Sequence, residues 1–400
     1  MLLLKNIKFI VTQDEKRRIL ENCDVLVEKG KIKKIEKNIK VSQKVKVFDC
    51  QKGILLPALF NLHTHLSMTL FRGFKDHLPL HQWLKEIWKK EVKLTPQDIK
   101  TGSEIGIKEL LSNGTAGFLD MYFFPKETAK IAKRFKIKAM LGEPVISILP
   151  IKLNEIIKET KNLCEKYRND PFIKICVNPH SIYTVSKNDL IKLKNFAKKN
   201  NLFFHLHLSE TEKEVKECQR IYKKRPVEFL EEIGLLDEKT ILAHVIWIIE
   251  KEVKILKKRK VKVVSCPQSN LKLASGIFNF PLFKKYKIKI CLGTDGPASN
   301  NSLNMFEEMK VFSLLQKGFF KNPTLAQAQE VLDMATINGG EIFGKTGRIK
   351  KGYSADFVLL SSKNFSFFPL KKERLLSHIV FSKPEVLATI VEGEISFSKN

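Results

Sequence analysis

From about residue 55 to about residue 345 the chain repeats one unit, a short apolar run followed by a turn and a helix-period segment. The apolar runs are PALFNLHTH, TAGFLDMYF, KAMLGEPVI, IKICVNPHS, FFHLHLSE, TILAHVI, KVVSCPQS and IKICLGTDG. Between them lie patterns such as TPQDIKTGSEIGIKELLSNG, where Thr95-Pro96 suits N-cap and N1 and Gly114 suits C′. Strands that alternate with helices pair in parallel through crossovers. Eight such units close into a (β/α)8 TIM-type barrel of roughly 250 residues. The alternative is a doubly wound open sheet. No GxGxxG follows the first strand, which counts against a dinucleotide-binding version.

The two ends of the chain read differently. Residues 1–54 form short strands and turns (LLLKNIKFIV, CDVLVEKGKIKKIEKN, KVKVFDC), with a hairpin expected at Gly30. Residues 347–400 repeat this, as GRIKKGYSADFVLL and a hairpin around Gly393. We therefore expect one small composite β-sandwich domain built from both termini, around a barrel of residues 55–346. A hydrophobic fraction of 43% supplies a sizeable core. No run approaches the ~20 apolar residues of a membrane span. The first residues lack the apolar stretch and cleavage site of a signal peptide. Seven scattered cysteines without a CxxC pair read as reduced thiols of a cytoplasmic protein.

The net charge of +28 raises the question of nucleic acid. The cations lie singly along helix faces, as in KNDLIKLKNFAKKNN, rather than in a block with interleaved aromatics. Solvated helix faces explain that pattern, so no specific nucleic-acid partner and no membrane partner are expected. A small-molecule substrate is, and a homo-oligomer is left open.

In such a barrel the chemistry sits at the carboxyl ends of the strands. Those ends carry His63 and His65, His180, His207 with Glu210, His244, and Asp295 in Gly-Thr-Asp-Gly. His63 and His65 are two apart on a strand and share a face. Singly, each residue reads more easily as a satisfied core histidine or a turn aspartate. Five strand ends carrying them together do not. His63, His65, His207 and Asp295 offer three nitrogens and one oxygen to a divalent metal, zinc first and Fe(II) second. Such a metal brings the pKa of its water to roughly 7. Glu210, three residues past His207, can donate a proton to a substrate nitrogen. Its neighbours Glu212 and Glu214 read as ordinary N-cap or surface acids. His205 reads as barrel filling or support behind the ligands; His77, His81 and His378 have no supporting context.

These residues sit in longer motifs: ALFNLHTHLSMTLFRGFKDHLPLHQWL, NPHSIYTVS, HLHLSET, ILAHVIW, CPQSNLKLASG, GTDGPASNNSLNMFEEM and GRIKKGYSADFVLL. With them the chain resembles, along essentially its whole length, the amidohydrolase superfamily and its 5-methylthioadenosine/S-adenosylhomocysteine deaminases. The resemblance implies one metal on His63, His65, His207 and Asp295, since Asn178-Pro179-His180 stands where binuclear relatives carry a bridging lysine. It implies that activated water attacks C6 of an adenine ring and that Glu210 protonates N1. His244 orients the water, while Asp295 accepts its proton and passes it to the departing ammonia. It implies Glu91, in KKEVKLTP, on the ribose hydroxyls, His180 on the ribose or purine side and Ser299 as a further substrate contact. The alternative for Glu91 is an acid at a helix start, favoured by the dipole.

One position departs from the family. Glu143 stands where relatives place an arginine for the homocysteine carboxylate, and Lys152 is the nearest cation beyond it. A carboxylate at that substrate-contact position repels another. We expect weak S-adenosylhomocysteine turnover and better turnover of 5′-methylthioadenosine, 5′-deoxyadenosine or adenosine. A deaminase or chlorohydrolase of another amino-heterocycle (guanine, cytosine or a triazine) is the alternative on the same scaffold.

Overall fold

The structure is a computed structural model that describes residues 1–41, 44–75, 77–147 and 152–399. Eight parallel strands form one ladder in chain order: Leu59–Thr64, Thr115–Met121, Lys138–Gly142, Ile173–Pro179, Phe203–Leu208, Thr240–His244, Lys262–Ser265 and Ile290–Leu292. The eighth returns to the first, where the Asp295 amide donates to the His63 carbonyl at 3.0 Å. A Cβ on Gly293 would lie 2.8 Å from that same carbonyl oxygen. Glycine at 293 is what lets the last strand come this close.

Strand side chains divide between two buried layers. Leu62, Leu119, Met140, Ile241 and Val264 join one cluster. Ala116, Phe118 and Leu141 face the opposite way and pack on Ile107, Leu110 and Ile131 of the surrounding helices. Each fully buried leucine or phenylalanine contributes roughly 1.5–3 kcal/mol. The helix Pro96–Ser112 begins as its sequence implies, with Thr95 and Asp98 forming a reciprocal capping box.

The second sheet draws on both ends of the chain. Its order is Glu394–Ser398, Val386–Val391, Phe357–Leu360, Ile54–Pro57, Leu2–Val11, Ile19–Glu28 and Lys31–Glu36, with Lys46–Asp49 also against Leu2–Val11. Phe357–Leu360 pairs antiparallel with Ile54–Pro57, which joins the termini. The expected hairpins are present. Lys29 and Gly30 (φ 50° and 72°) and Glu392 and Gly393 (φ 50° and 76°) are consecutive left-handed pairs, as a type I′ turn requires.

A buried ion cluster fixes this sheet to the barrel. Lys138, at the start of the third barrel strand, donates to Asp356, to Glu392 Oε1 at 2.6 Å and to Ser354 Oγ at 3.0 Å. Removing one partner of such a cluster strands a buried charge and costs about 3–5 kcal/mol. All seven cysteines are free thiols. No helix among the described residues is long and apolar enough to cross a membrane.

One element stands outside the alternation. Helix Leu80–Glu91 follows the first strand and turns Leu80, Trp83, Leu84, Ile87 and Glu91 inward. It forms one wall of the cavity over the carboxyl ends of the strands.

Candidate active site

At the mouth of the barrel, His63, His65, His207 and Asp295 bring one donor atom each to within 4.8 Å of one another. His65 Nε2 lies 3.2 Å from His207 Nε2 and 3.2 Å from Asp295 Oδ1, and His63 Nε2 lies 3.4 Å from that oxygen. The outward nitrogens explain why the inner ones are free. His65 Nδ1 donates to the Met121 carbonyl at 2.7 Å and His207 Nδ1 to the His180 carbonyl at 2.6 Å. Carbonyls only accept, so in the neutral rings both Nε2 lone pairs converge without a proton to share. His63 Nδ1 is 3.0 Å from His205 Nε2, and its buried Nε2 has no hydrogen-bond partner. Lone pairs gathered in a buried site are costly unless a cation receives them. A tetrahedral zinc shell has ligand–ligand edges of about 3.3 Å. The residues fit a divalent cation.

The electrostatics agree. Burial pushes His63 down to about 4 and holds His207 well below its ordinary value, so both rings are neutral. Burial works against an ionised Asp295, but the adjacent His63 and His65 rings outweigh it and hold its carboxyl well below the usual range. His65 is the exception. Burial again opposes its charge, yet the hydrogen bond and charge of Asp295 push it up to about 9, a proton standing in for a cation.

Two site residues owe their aim to strained backbone. In register, Ala243 lies beside His207 and His244 beside Leu208, on the face turned to the outer helices. Left-handed backbone at His244 (φ 71°) swings its imidazole into the cavity, and Asp295 (φ 61°) is similarly held. Such a conformation costs of order 1–3 kcal/mol at a residue with a side chain. His244 Nδ1 then meets Asn270 Oδ1 at 2.7 Å, and Asp295 Oδ2 accepts from Ser269 Oγ at 2.5 Å and Ser299 Oγ at 3.0 Å. Ser269 and Asn270 carry no functional reading in the sequence. The available signal is their place in CPQSN, a polar turn at the end of the seventh strand.

Glu210 is buried at the end of the fifth strand. Its Oε2 lies 3.9 Å from His244 Nε2, and its Oε1 accepts from Ser275 Oγ at 3.3 Å. Burial raises its carboxyl, with the Asp295 charge adding to the effect and His244 opposing it. Glu212 is the exposed acid expected, but Glu214 is not. Glu214 is 1% exposed and its carboxyl accepts from the Ser209 and Glu210 amides, both at 2.9 Å. Helix Glu212–Tyr222 turns it back beneath the strand end, where burial pushes it up to about 8. Glutamine offers one acceptor oxygen where Glu214 uses two. Glu214→Gln should therefore lower kcat by roughly tenfold or more through misplacement of Glu210. Steady-state kinetics beside metal analysis checks this, with metal content unchanged.

A cavity opens over the cluster at the mouth of the barrel. Besides the cluster it is lined by Glu210, His244, Ser299, His180, Glu91 and Tyr122, and by an apolar wall that includes Trp83, Trp88, Phe123 and Leu273. Glu91 is the last residue of its helix, not the first, so the dipole disfavours rather than explains its charge. Burial pushes it up to about 7 against the opposing effect of the nearby Tyr122 hydroxyl. That hydroxyl is itself buried and has no partner at ordinary hydrogen-bond geometry. His180 is pushed down to about 3 by burial, and its Nδ1 is 3.0 Å from Thr184 Oγ1. His205 backs His63 and takes no place in the cavity. His77 is exposed, His81 packs on Tyr183, and His378 contacts the Pro369 carbonyl.

Glu143 is the site candidate set apart from the others. It does not line the cavity, although Pro144 beside it does. Its carboxyl accepts from the Phe124 amide at 3.3 Å, and burial pushes it up to about 7. Lys152 is exposed, at the start of helix Leu153–Lys166. No lysine or arginine lines the cavity among the described residues, and residues 148–151 are uncharged by sequence.

The model of the amidohydrolase family matches residues 54–396. The chain belongs to the amidohydrolase family. Amidohydrolases are metal-dependent, in keeping with the histidine–aspartate cluster. Within the family this amidohydrolase falls among the 5-methylthioadenosine/S-adenosylhomocysteine deaminases. A curated protein of that name from Dictyoglomus turgidum is 41% identical over 388 residues, spanning 95% of this chain and 90% of that protein. The 5′-deoxyadenosine deaminase of Methanothrix thermoacetophila is 36% identical, spanning 94% of this chain and 90% of that protein. The crystal structure of an adenosine deaminase from Xanthomonas campestris with bound zinc superimposes with a TM-score of 0.94 at 30% identity. That match spans 98% of this chain and 92% of the other.

Proposed function

We propose that this amidohydrolase hydrolyses the 6-amino group of adenosines with a neutral 5′ end: 5′-methylthioadenosine, 5′-deoxyadenosine and adenosine. The products are the inosine analogue and ammonia. The observation that carries this reading is a buried carboxyl, Glu210, raised by burial and set beside the four-residue cluster, in a cavity that also presents Glu91 and the unpartnered Tyr122 hydroxyl. The names of the relatives support it.

His63, His65, His207 and Asp295 would hold one divalent cation, zinc or ferrous iron. One rather than two is supported by Asn178, whose amide is spent on the Asp120 and Gly142 carbonyls at 3.0 and 2.8 Å. Such a cation, when bound, supplies Lewis acidity that brings the pKa of a coordinated water to about 7. The protein's own groups do the rest. Glu210 delivers its proton to ring N1, which makes C6 electrophilic. His244 Nε2 accepts a hydrogen bond from the attacking water and aligns it. Asp295 takes the water's proton and returns it to the departing amino group, while the C6 hydroxyl proton passes back to Glu210 as the carbonyl forms, so one water is consumed, one ammonia released and both carboxyls are restored. Glu91 and Tyr122 take the ribose hydroxyls, and the tryptophan wall receives the 5′ substituent. Turnover of methylthioadenosine in 18O-water tests the reading: one labelled oxygen at C6 and one ammonia per product are expected, and unlabelled product would overturn it.

The same cavity predicts selectivity. The carboxylate of S-adenosylhomocysteine would lose water and find no cation, a cost of several kcal/mol. Methylthioadenosine should be preferred in kcat/KM by on the order of 100-fold. Glu143 lies outside the cavity lining, so this selectivity rests on the missing cation rather than on its charge. Glu143→Gln should therefore leave the preference within about threefold of its native value. Kinetics on both substrates check this, and comparable values would contradict it.

A further inference from the structure

We infer that the segment Pro267–Ser275 is the positioning element of the site, with Asn270 and Ser269 holding His244 and Asp295 in their working orientations; this rests on the deaminase reading above. Three contacts carry the inference. Asn270 Oδ1 meets His244 Nδ1 at 2.7 Å, Ser269 Oγ donates to Asp295 Oδ2 at 2.5 Å, and Ser275 Oγ donates to Glu210 Oε1 at 3.3 Å. Nine consecutive residues thus touch every side chain that handles a proton.

The effect on each is specific. An amide oxygen only accepts, so Asn270 places the proton of His244 on Nδ1 and leaves the Nε2 lone pair toward the cavity. The opposite tautomer would present a donor to the attacking water and could not align it for proton loss. Ser269, with Ser299, occupies Asp295 Oδ2, which leaves Oδ1 for the histidine cluster. The two oxygens of one carboxylate are thereby given different tasks.

The segment is itself anchored. Glu308, fully buried, accepts from the Gln268 amide at 3.3 Å, from Gln268 Nε2 at 2.8 Å and from Asn300 Nδ2 at 2.6 Å. One acid therefore ties the helix bearing Ser269 and Asn270 to the turn bearing Ser299. The Ser275 amide closes back on the Asn270 carbonyl at 2.9 Å, and the Ser275 carbonyl accepts from Trp247 Nε1 at 2.7 Å. The backbone that carries these contacts is thus tied down on both sides of Asn270, as positioning requires.

The test uses the full-length, zinc-loaded enzyme. Asn270→Leu keeps the volume and removes the acceptor; kcat should fall roughly 10- to 100-fold with KM changed less than about threefold. Asn270→Asp, which restores an acceptor, should recover most of the loss. In a His244→Ala background Asn270→Leu should cost nothing further, because it acts through that ring. Long-range 1H–15N spectra of histidine-labelled enzyme should show His244 protonated at Nδ1 in the native protein and in Asn270→Asp. This reads the tautomer even if no adenosine is turned over, so failure of the substrate assignment and failure of the positioning role are distinguishable. Equal losses in both backgrounds, or an Nε2-protonated His244 in the native enzyme, would overturn the inference. If Asn270→Leu does not fold, Asn270→Ser replaces it in the same cycle.

Discussion

Glu210→Gln is expected to lower kcat by roughly three orders of magnitude while leaving the metal content and the fold intact. General acid–base groups contribute about 10²- to 10⁴-fold, and this carboxyl is asked to supply the proton that activates the ring. Glutamine keeps the shape and the hydrogen bond from Ser275 Oγ, so packing is preserved and only the transferable proton is lost. Glu210 is not in the cation cluster, so metal analysis should be unchanged. The loss should fall on kcat rather than on KM, since the proton is needed in the transition state and not for binding. A variant that retains more than about a tenth of native kcat would remove Glu210 from the mechanism.

Ligand loss should behave in the opposite way. His207→Ala should abolish both activity and stoichiometric metal, because His207 supplies one of the three nitrogens and its ring is fixed by the His180 carbonyl. Exhaustive chelation of the native enzyme should give the same silence and be reversed by zinc or ferrous iron. A cation that binds only the folded chain adds about 4 kcal/mol of stability at a thousandfold excess over Kd. The loaded enzyme should therefore melt higher than the stripped one, and His207→Ala should show no such shift. Inductively coupled plasma analysis beside calorimetry distinguishes this from the Glu210 variant. Full activity after complete metal removal would rule out the cluster as the reaction centre.

How much of this was legible in the sequence varies by element. The barrel was readable because each strand is short, apolar and followed by a helix-period segment, so alternation alone dictates parallel pairing. The terminal sheet was readable as hairpins because Gly30 and Gly393 mark turns, but the pairing of Ile54–Pro57 with Phe357–Leu360 spans some three hundred residues and leaves no local trace. Helix Leu80–Glu91 was hidden: no side-chain cap marks its start, and its polar outer face looks like any loop-borne charge cluster. The four residues of the histidine–aspartate cluster stood out through residue type and strand-end position. His244 was found for its residue type, although register alone would point it away. The left-handed turn that aims it is invisible in a string of letters. Glu214, Ser269 and Asn270 were missed because their roles lie in which backbone amide or ring nitrogen they reach, a tertiary fact. Glu143 shows the converse. Its chemistry was plain in the sequence, but its side chain turns to the Phe124 amide and not into the cavity.

The cavity is expected to deaminate neutral 5′-substituted adenosines with one bound cation. Ammonia release from purified, metal-analysed enzyme tests it most directly, across methylthioadenosine, 5′-deoxyadenosine, adenosine, S-adenosylhomocysteine and guanine. Rapid release from the first three, with S-adenosylhomocysteine far behind and about one metal per chain, is the result expected. Silence on every adenosine from protein that carries its metal would contradict it and assign the cavity to a different heterocycle.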